Sequence, residues 1–524
     1  MRNHKTLLSG LLAALASTGP TQLPEISANR IRCHLSNWLV RAAMGLVAFA
    51  PSLASSKDAP NIVFILADDL GWTDLGCSGN RYIETPAIDR LAAEGMRFTN
   101  AYTAPVCTPS RGMILSGQSP ARTGVYKVPF MPNDRPWAKV IPPENWGDHP
   151  VEGTTLGQWL TGIGYASELV GKTHVPPAYL QGMRVISTQR PESNARIAKI
   201  LGDEFSARVN RFADANSGKL VGALTQQAIF FIAENKDRPF FCYIGHYAPH
   251  VPLEARDELK RKYEDKWRRF PVAIHPHYAA MCEALDESVG LLIETLDRLH
   301  LTDHTVVVFF SDNGGVERVF NDGHGAEITD LTPLRGEKGG LYEGGIRVPM
   351  IVRWPGEVKP GSICDTPVIS TDFLPTIAEI AGKQLTPDII TDGTSLVPLL
   401  KGTGIWERAR LFFYFPDYHH DFPAMAVREG RYKLIESSED GHRELYDLVA
   451  DIGERQNLVS KMATKASDLA KELSRWRESL EARLPTPNPH FDPQKQDLLD
   501  PHGEAIRREY LPIPWPPSPE AVAR

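Results

Sequence analysis

The sequence predicts an α/β fold: a mainly parallel, mixed sheet sandwiched by helices, with a smaller antiparallel-sheet subdomain towards the C-terminus. Three observations predict it. From Asn61 onward, short apolar runs alternate with helical patterns. Ile62-Val63-Phe64-Ile65-Leu66 is continuously apolar, as a strand covered on both faces should be. Past about residue 385 the chain changes to closely spaced, strand-like runs separated by turns. With 524 residues and 58.1 kDa the chain is too long for one small core. We therefore expect a leader over residues 1–57, a large N-terminal domain over 58–385, a C-terminal α+β subdomain over 386–490 and a Pro-rich arm over 491–524.

The elements follow in order. The first strand, residues 62–66, runs directly into Asp68 and Asp69. Thr85-Pro86 then opens a helix that Gly95 stops, with cap, first-turn proline and terminal glycine in their preferred places. Residues 166–170 form a second strand leading into Gly171-Lys172-Thr173-His174, residues 240–244 a third leading into His246 and Pro249-His250, and residues 306–310 a fourth leading into Ser311-Asp312-Asn313-Gly314-Gly315. Ligand sites in open α/β sheets lie beyond the carboxyl ends of the strands, so these polar clusters should share one rim. Met281, Leu285, Leu292, Ile293, Leu296 and Leu299 recur at helical spacing and mark a core-facing helix over residues 277–299. Thr371-Asp372 opens another that ends at Gly382. Strand-like runs at 411–414, 424–428, 432–435 and 444–448 build the second sheet, and a helix near 461–483 follows. The chain contains no internal repeat, and its Pro-rich end reads as an irregular arm or as disorder.

Composition narrows the function classes. A net charge of −7 without a basic run argues against a nucleic-acid partner. The six cysteines include no Cys-x-x-Cys pair, so zinc and thioredoxin-like spacings are both absent. Outside the leader's Cys33 and the isolated Cys107, we read Cys77, Cys242, Cys282 and Cys364 mostly as buried free thiols, with one disulfide as the alternative. The leader carries apolar stretches at 7–16 and 38–54, each shorter than the roughly 20 residues of a membrane span and each ending near a small-residue pattern. They read as an export signal, giving a periplasmic, lysosomal or extracellular protein with no stable membrane span after signal removal; which stretch is the signal stays open.

Asp68, Asp69, Asp312 and Asn313, from two strand ends, suit a hard divalent cation such as Ca2+, which accepts oxygen ligands, Asn carbonyls included. Either pair alone would equally be a turn after a strand. The most informative stretch is Cys107-Thr108-Pro109-Ser110-Arg111-Gly112-Met113-Ile114-Leu115-Ser116-Gly117. On its own, Cys107 reads as a buried thiol or as a group among the free amides of a helix N-terminus, with Pro109 at the first helical position.

This stretch resembles the Cys-x-Pro-Ser-Arg-x-x-x-Leu-(Ser/Thr)-Gly signature of the sulfatases, of the alkaline phosphatase superfamily. The resemblance covers roughly residues 60–460, with the motifs in family order. It implies an alkaline-phosphatase-like fold whose catalytic domain spans residues 58–385, and a sulfuric ester hydrolase of the arylsulfatase type, EC 3.1.6. It implies that a formylglycine-generating maturation enzyme oxidises Cys107 to Cα-formylglycine, and that residue 107 then attacks sulfur as the nucleophile of a covalent sulfo-enzyme intermediate. One Ca2+ would be held by Asp68, Asp69, residue 107, Asp312 and Asn313. Arg111 would orient the nucleophile and the acids, while Lys172 and Lys338 would bind sulfate. His174 would hydrogen-bond the nucleophile, and His250, in Pro249-His250-Val251-Pro252, would contact sulfate or protonate the leaving oxygen. His246 reads as structural.

Thr173 and Val175-Pro176-Pro177 depart from the family pattern, as does the stretch 321–332 with His324, which suggests altered pocket walls. Trp137, His324 and His419-His420 are weaker candidates for substrate contact. The substrate would be an aryl sulfate or a sulfated carbohydrate. The rivals are a phosphate or phosphonate monoester hydrolase of the same fold and a catalytically silent glycan-binding relative.

Overall fold

The computed structural model describes residues 59–128, 138–144, 153–186, 198–270, 272–317, 327–403 and 406–494. The expected leader, Trp137, His324 and the expected arm beyond residue 494 lie outside the described residues. The strands are β1 (Asn61–Ala67), β2 (Met96–Tyr102), β3 (Val140–Ile141), β4 (Ala166–Gly171), β5 (Arg184–Ile186), β6 (Phe240–Gly245), β7 (Thr305–Ser311), β8 (Arg347–Arg353), β9 (Ser362–Cys364), β10 (Val368–Ile369), β11 (Leu411–Phe415), β12 (Ala424–Glu429), β13 (Tyr432–Ser437), β14 (Arg443–Asp447) and β15 (Thr486–Pro487). The main sheet has the order β10-β2-β8-β7-β1-β6-β4-β5, with β9 beside β2. The four strands read from the sequence are therefore the adjacent parallel set β7-β1-β6-β4.

Alternation along β1 divides the core in two. Val63, Ile65 and Ala67 join one buried cluster, under helices that include Pro86–Glu94, Val221–Glu234 and Pro276–Arg298. Ile62, Phe64 and Leu66 join the other, under Cys107–Ser116, Leu156–Gly162 and Phe373–Ile380. Each of the Val, Ile, Leu and Phe side chains among these, fully withdrawn from water, contributes about 1.5–3 kcal/mol. This is the sandwiched α/β sheet expected from the sequence.

One strand runs against the rest, and the reason is local. β8 is antiparallel to both β7 and β2, yet it contains Pro349, which cannot donate to a ladder. The β7 ladder stops at Met350, and β2 shifts register between Phe98 and Ala101, opposite Pro349. The bulge absorbs the missing donor.

The second sheet, β11-β12-β13-β14, is antiparallel throughout. On one face Phe413, Ala426 and Ile435 pack with Val106, Met113, Leu341 and Ile346 of the large unit. On the other, Val427, Leu434 and Leu445 pack with Ala466, Leu469 and Leu473 of the helix Ala463–Ser479. The smaller sheet thus rests on the segments that carry Cys107 and Lys338. All five described cysteines are free thiols, with Cys242 and Cys282 buried and Cys77 and Cys364 half-buried.

Candidate active site

The four strand ends open on one rim. Cys107 is the first residue of its helix, with Val106 at the N-cap position, so Pro109 is third rather than first. Proline is tolerated there because the amides of the first turn have no helical acceptor. Ser110 Oγ donates to the Ala104 and Val106 carbonyls, at 3.0 and 2.9 Å, and ties down the entry. Gly117 (φ 68) closes the helix, and a Cβ there would lie 2.7 Å from Thr391 Oγ1.

Cys107 is 1% exposed, and its Sγ lies 3.1 Å from His174 Nδ1. Burial pushes the thiol up, against the pull of Lys172 and Lys338. Burial first, then the charges of Lys172 and Arg111, push His174 down to about 3, so a neutral imidazole faces the sulfur. His174 has φ 49, so the segment after β4 turns sharply there rather than staying extended.

Arg111, 0% exposed, places Nε and Nη2 at 2.9 and 2.7 Å from Asp312 Oδ2 and donates Nη1 to the Lys172 carbonyl at 2.8 Å. Its Nη2 also stands 3.6 Å from Asp68 Oδ2. Lys172 Nζ donates to Asp68 Oδ2 at 2.5 Å. Asp69 Oδ1 accepts from Lys338 Nζ at 2.6 Å and from Asn313 Nδ2 at 2.7 Å. Burial alone would raise Asp68, but Lys172, His250, Arg111 and Lys338 outweigh it and hold that carboxyl far below its ordinary range. Burial, then the charge of Asp68, pushes Asp312 up to about 7 against Arg111. Of the three acids only Asp312 is held up, so it is the one that a further positive charge would relieve.

The donor atoms fit a cation. Asp68 Oδ1 and Asn313 Oδ1 are buried and have no hydrogen-bond partner. His250 Nδ1 lies 2.6 Å from the Val251 carbonyl, which places its proton there, and leaves Nε2 facing Asp69 Oδ2 at 3.6 Å. A lone pair facing a carboxylate calls for a proton or a metal between them. Ligand atoms of Asp68, Asp69 and His250 all lie within 4.8 Å of one another. Sequence reasoning put His250 on the sulfate side and missed its approach to the two acids.

All ten expected site residues therefore stand at this rim. His419 and His420 stand beside it, rings 4.2 Å apart, and a Cβ on Gly339 would meet His419 Nδ1 at 2.5 Å. His246 is in the core, with Nε2 3.3 Å from Ser288 Oγ. Sequence reasoning also missed Asp74 and Tyr278, which back the Asp68-Asp69 turn. A tyrosine three residues before Met281 on the core stripe was the available signal, since a buried hydroxyl needs a partner.

Comparison with known proteins shows the family. The Sulfatase family model matches residues 60–383, and the model described as N-sulphoglucosamine sulphohydrolase, C-terminal, matches residues 337–481. A sulfatase from Formosa agariphila is 31% identical over 507 residues, covering 81% of this chain and 90% of its own. Human arylsulfatase A is 31% identical over 490 residues, covering 84% and 90%. Among solved structures, Ps i-CgsB in complex with k-i-k-neocarrahexaose superposes with a TM-score of 0.63 at 25% identity, covering 87% of this chain and 98% of that one. The phosphonate monoester hydrolase of Agrobacterium radiobacter superposes at 0.58 with 19% identity, over 82% and 99%, and shares the fold alone.

Proposed function

The chain belongs to the sulfatase family and is a sulfuric ester hydrolase, and from that premise we propose that it cleaves aryl or carbohydrate sulfate monoesters through residue 107 matured to Cα-formylglycine. The observation that supports this most is the pairing of Cys107 with neutral His174 inside a buried ring of three acids and three cations.

Asp68, Asp69, Asp312 and Asn313, with residue 107, would hold one Ca2+, while His250 Nε2, beside Asp69, stays outside that set and is left to carry a proton. When bound, the ion supplies positive charge that draws the sulfate oxygens and eases proton loss from the nucleophile. Arg111 keeps Asp312 and the Lys172 carbonyl in fixed positions, so the acids keep their geometry as substrate enters. Lys172 and Lys338 present ammonium groups to the sulfate, preorganised by Asp68 and Asp69. Residue 107 as formylglycine adds water to become a geminal diol; one hydroxyl attacks sulfur in place of a thiol, and His174 accepts the proton of the second as sulfate leaves and the aldehyde re-forms. His250, once protonated on Nε2, passes that proton to the leaving alcohol oxygen. The partners are a sulfated small molecule or glycan and the formylglycine-generating enzyme, and export is proposed from residues 1–57.

The test is mass analysis of the peptide containing residue 107, joined to sulfate-release assays on sulfated sugars, an aryl sulfate and an aryl phosphate. Conversion of Cys107 with sulfate release is expected. An unmodified cysteine without sulfate release, after expression with a competent maturation system, would defeat the reading. Preference for the phosphate ester would select the rival hydrolase; a modified but inactive protein would point to the silent binder.

A further inference from the structure

Asp69 adopts φ 66, a left-handed conformation that costs a non-glycine residue free energy unless its surroundings enforce it. Every backbone amide from Asp68 to Gly71 has a partner. The Asp68 amide donates to the Ala248 carbonyl at 3.1 Å, the Asp69 amide to Asp312 Oδ1 at 3.3 Å and the Leu70 amide to Ser311 Oγ at 3.1 Å. The Gly71 amide donates to Asp74 Oδ2 at 2.6 Å. On the other side, the Tyr278 hydroxyl lies 3.1 Å from the Asp69 carbonyl oxygen and 2.5 Å from Asp74 Oδ2.

Asp74 is fully buried and also accepts from Thr329 Oγ1 at 2.5 Å. Thr329 in turn abuts the other ligand-bearing turn, because a Cβ on Gly315 would lie 2.8 Å from Thr329 Cγ2. One on Gly71 would lie 2.7 Å from Asp74 Oδ2, so the backbone can sit on this carboxylate only without a side chain. Asp74 thus joins the turn after β1, the turn after β7 and the first helical turn of Pro276–Arg298.

We propose that Asp74 and Tyr278 are positioning residues that lock Asp69 in its left-handed turn and thereby set the affinity of the site for a divalent cation. This rests on the cation reading of Asp68, Asp69, Asp312 and Asn313. Neither residue is a ligand. Asp74 spends its oxygens on Gly71, Thr329 and Tyr278, and the Tyr278 hydroxyl meets Asp69 only at its backbone. Losing the hydroxyl frees the Asp69 carbonyl and lets the turn relax towards ordinary φ, which swings its carboxylate out of register with Asp68.

The test measures Ca2+ binding by calorimetry and by thermal shift on the full-length matured protein, for wild type, Tyr278→Phe and Asp74→Asn. Tyr278→Phe keeps the ring and should raise the Ca2+ dissociation constant about tenfold, the lower end for a lost outer-shell partner. Its kcat at saturating Ca2+ should return to within about twofold of wild type. Asp74→Asn should weaken binding further; Tyr278→Phe carries the test if that variant does not fold. Tyr82→Phe, which removes a buried hydroxyl bonded to the Tyr263 carbonyl, should leave Ca2+ affinity unchanged. Unaltered affinity in Tyr278→Phe, or lost activity that excess Ca2+ does not restore, overturns the positioning role alone. A wild type that binds no Ca2+ overturns the cation reading as well.

Discussion

Lys433 on β13 places its ammonium 3.0 Å from Glu343 Oε1, in the segment that follows Lys338, with both side chains wholly withdrawn from water. Glu454 joins them at 2.9 Å from Lys433 Nζ, and Glu343 also accepts from Tyr102 and Arg347. Lys433→Met leaves the carboxylates without their shared cation, and removing one partner of a buried ion pair costs about 3–5 kcal/mol. Denaturant unfolding at pH 7 should show that loss. A smaller loss is expected at pH 5, because Glu454 already takes its proton near pH 7, where burial first holds it up. An equal loss at both pH values would count against this reading.

Cys107→Ala should abolish sulfate release, by at least about a thousandfold, as removal of a nucleophile does. The melting temperature should stay within a few degrees, since one small buried side chain shrinks. Loss of the folded state in circular dichroism would instead favour a purely structural thiol.

Gly171 ends β4 with φ 100, and a Cβ there would lie 2.2 Å from the Gly245 carbonyl oxygen. That same oxygen accepts from the Lys172 amide at 2.7 Å. Gly171→Ala must therefore part the ends of β4 and β6 and move Lys172, whose carbonyl also holds Arg111. We expect kcat/KM to fall about a hundredfold, the effect of a misplacement near 1 Å. Gly382→Ala, also left-handed (φ 71) but in open space, should cost about 1 kcal/mol and leave turnover alone.

Asp286 accepts from the Ala87 and Ile88 amides at 3.1 and 2.8 Å, yet burial pushes it up to about 7 against those bonds. Its folded pKa exceeds its unfolded one, so the folded state binds the extra proton between about pH 4 and pH 7. Its contribution is complete below that window and is lost as pH rises through 7. The stability of wild type relative to Asp286→Asn should fall across the window by up to about 1.4 kcal/mol per pH unit. A flat difference in urea midpoints would refute it.

The parts legible in the sequence were those with a local cause. A strand buried on both faces is an apolar run, and polar residues at its end need no partner to be noticed; Asp68-Asp69, Lys172 and Asp312-Asn313 were found that way. The direction of β8 was not legible, because Pro349 argues against a strand unless one knows that β2 bulges opposite it. Tyr278 and Asp74 escaped for a related reason. They lie 204 residues apart in the chain, and nothing near either names the other. The approach of His250 to Asp69 depends likewise on the path after β6, where the residue type announces chemistry but not its direction.

The concealment of Cys107 bears on the order of events during synthesis. Its sulfur faces His174, and its helix is roofed by Leu341 and Ile346 and by Phe413 and Ile435 of the second sheet, chain made long after residue 107. An enzyme that remodels this sulfur cannot reach it once those later segments have closed. If residue 107 is matured as proposed, that step would compete with folding: a chain that folded ahead of the modifying enzyme would keep an ordinary thiol there.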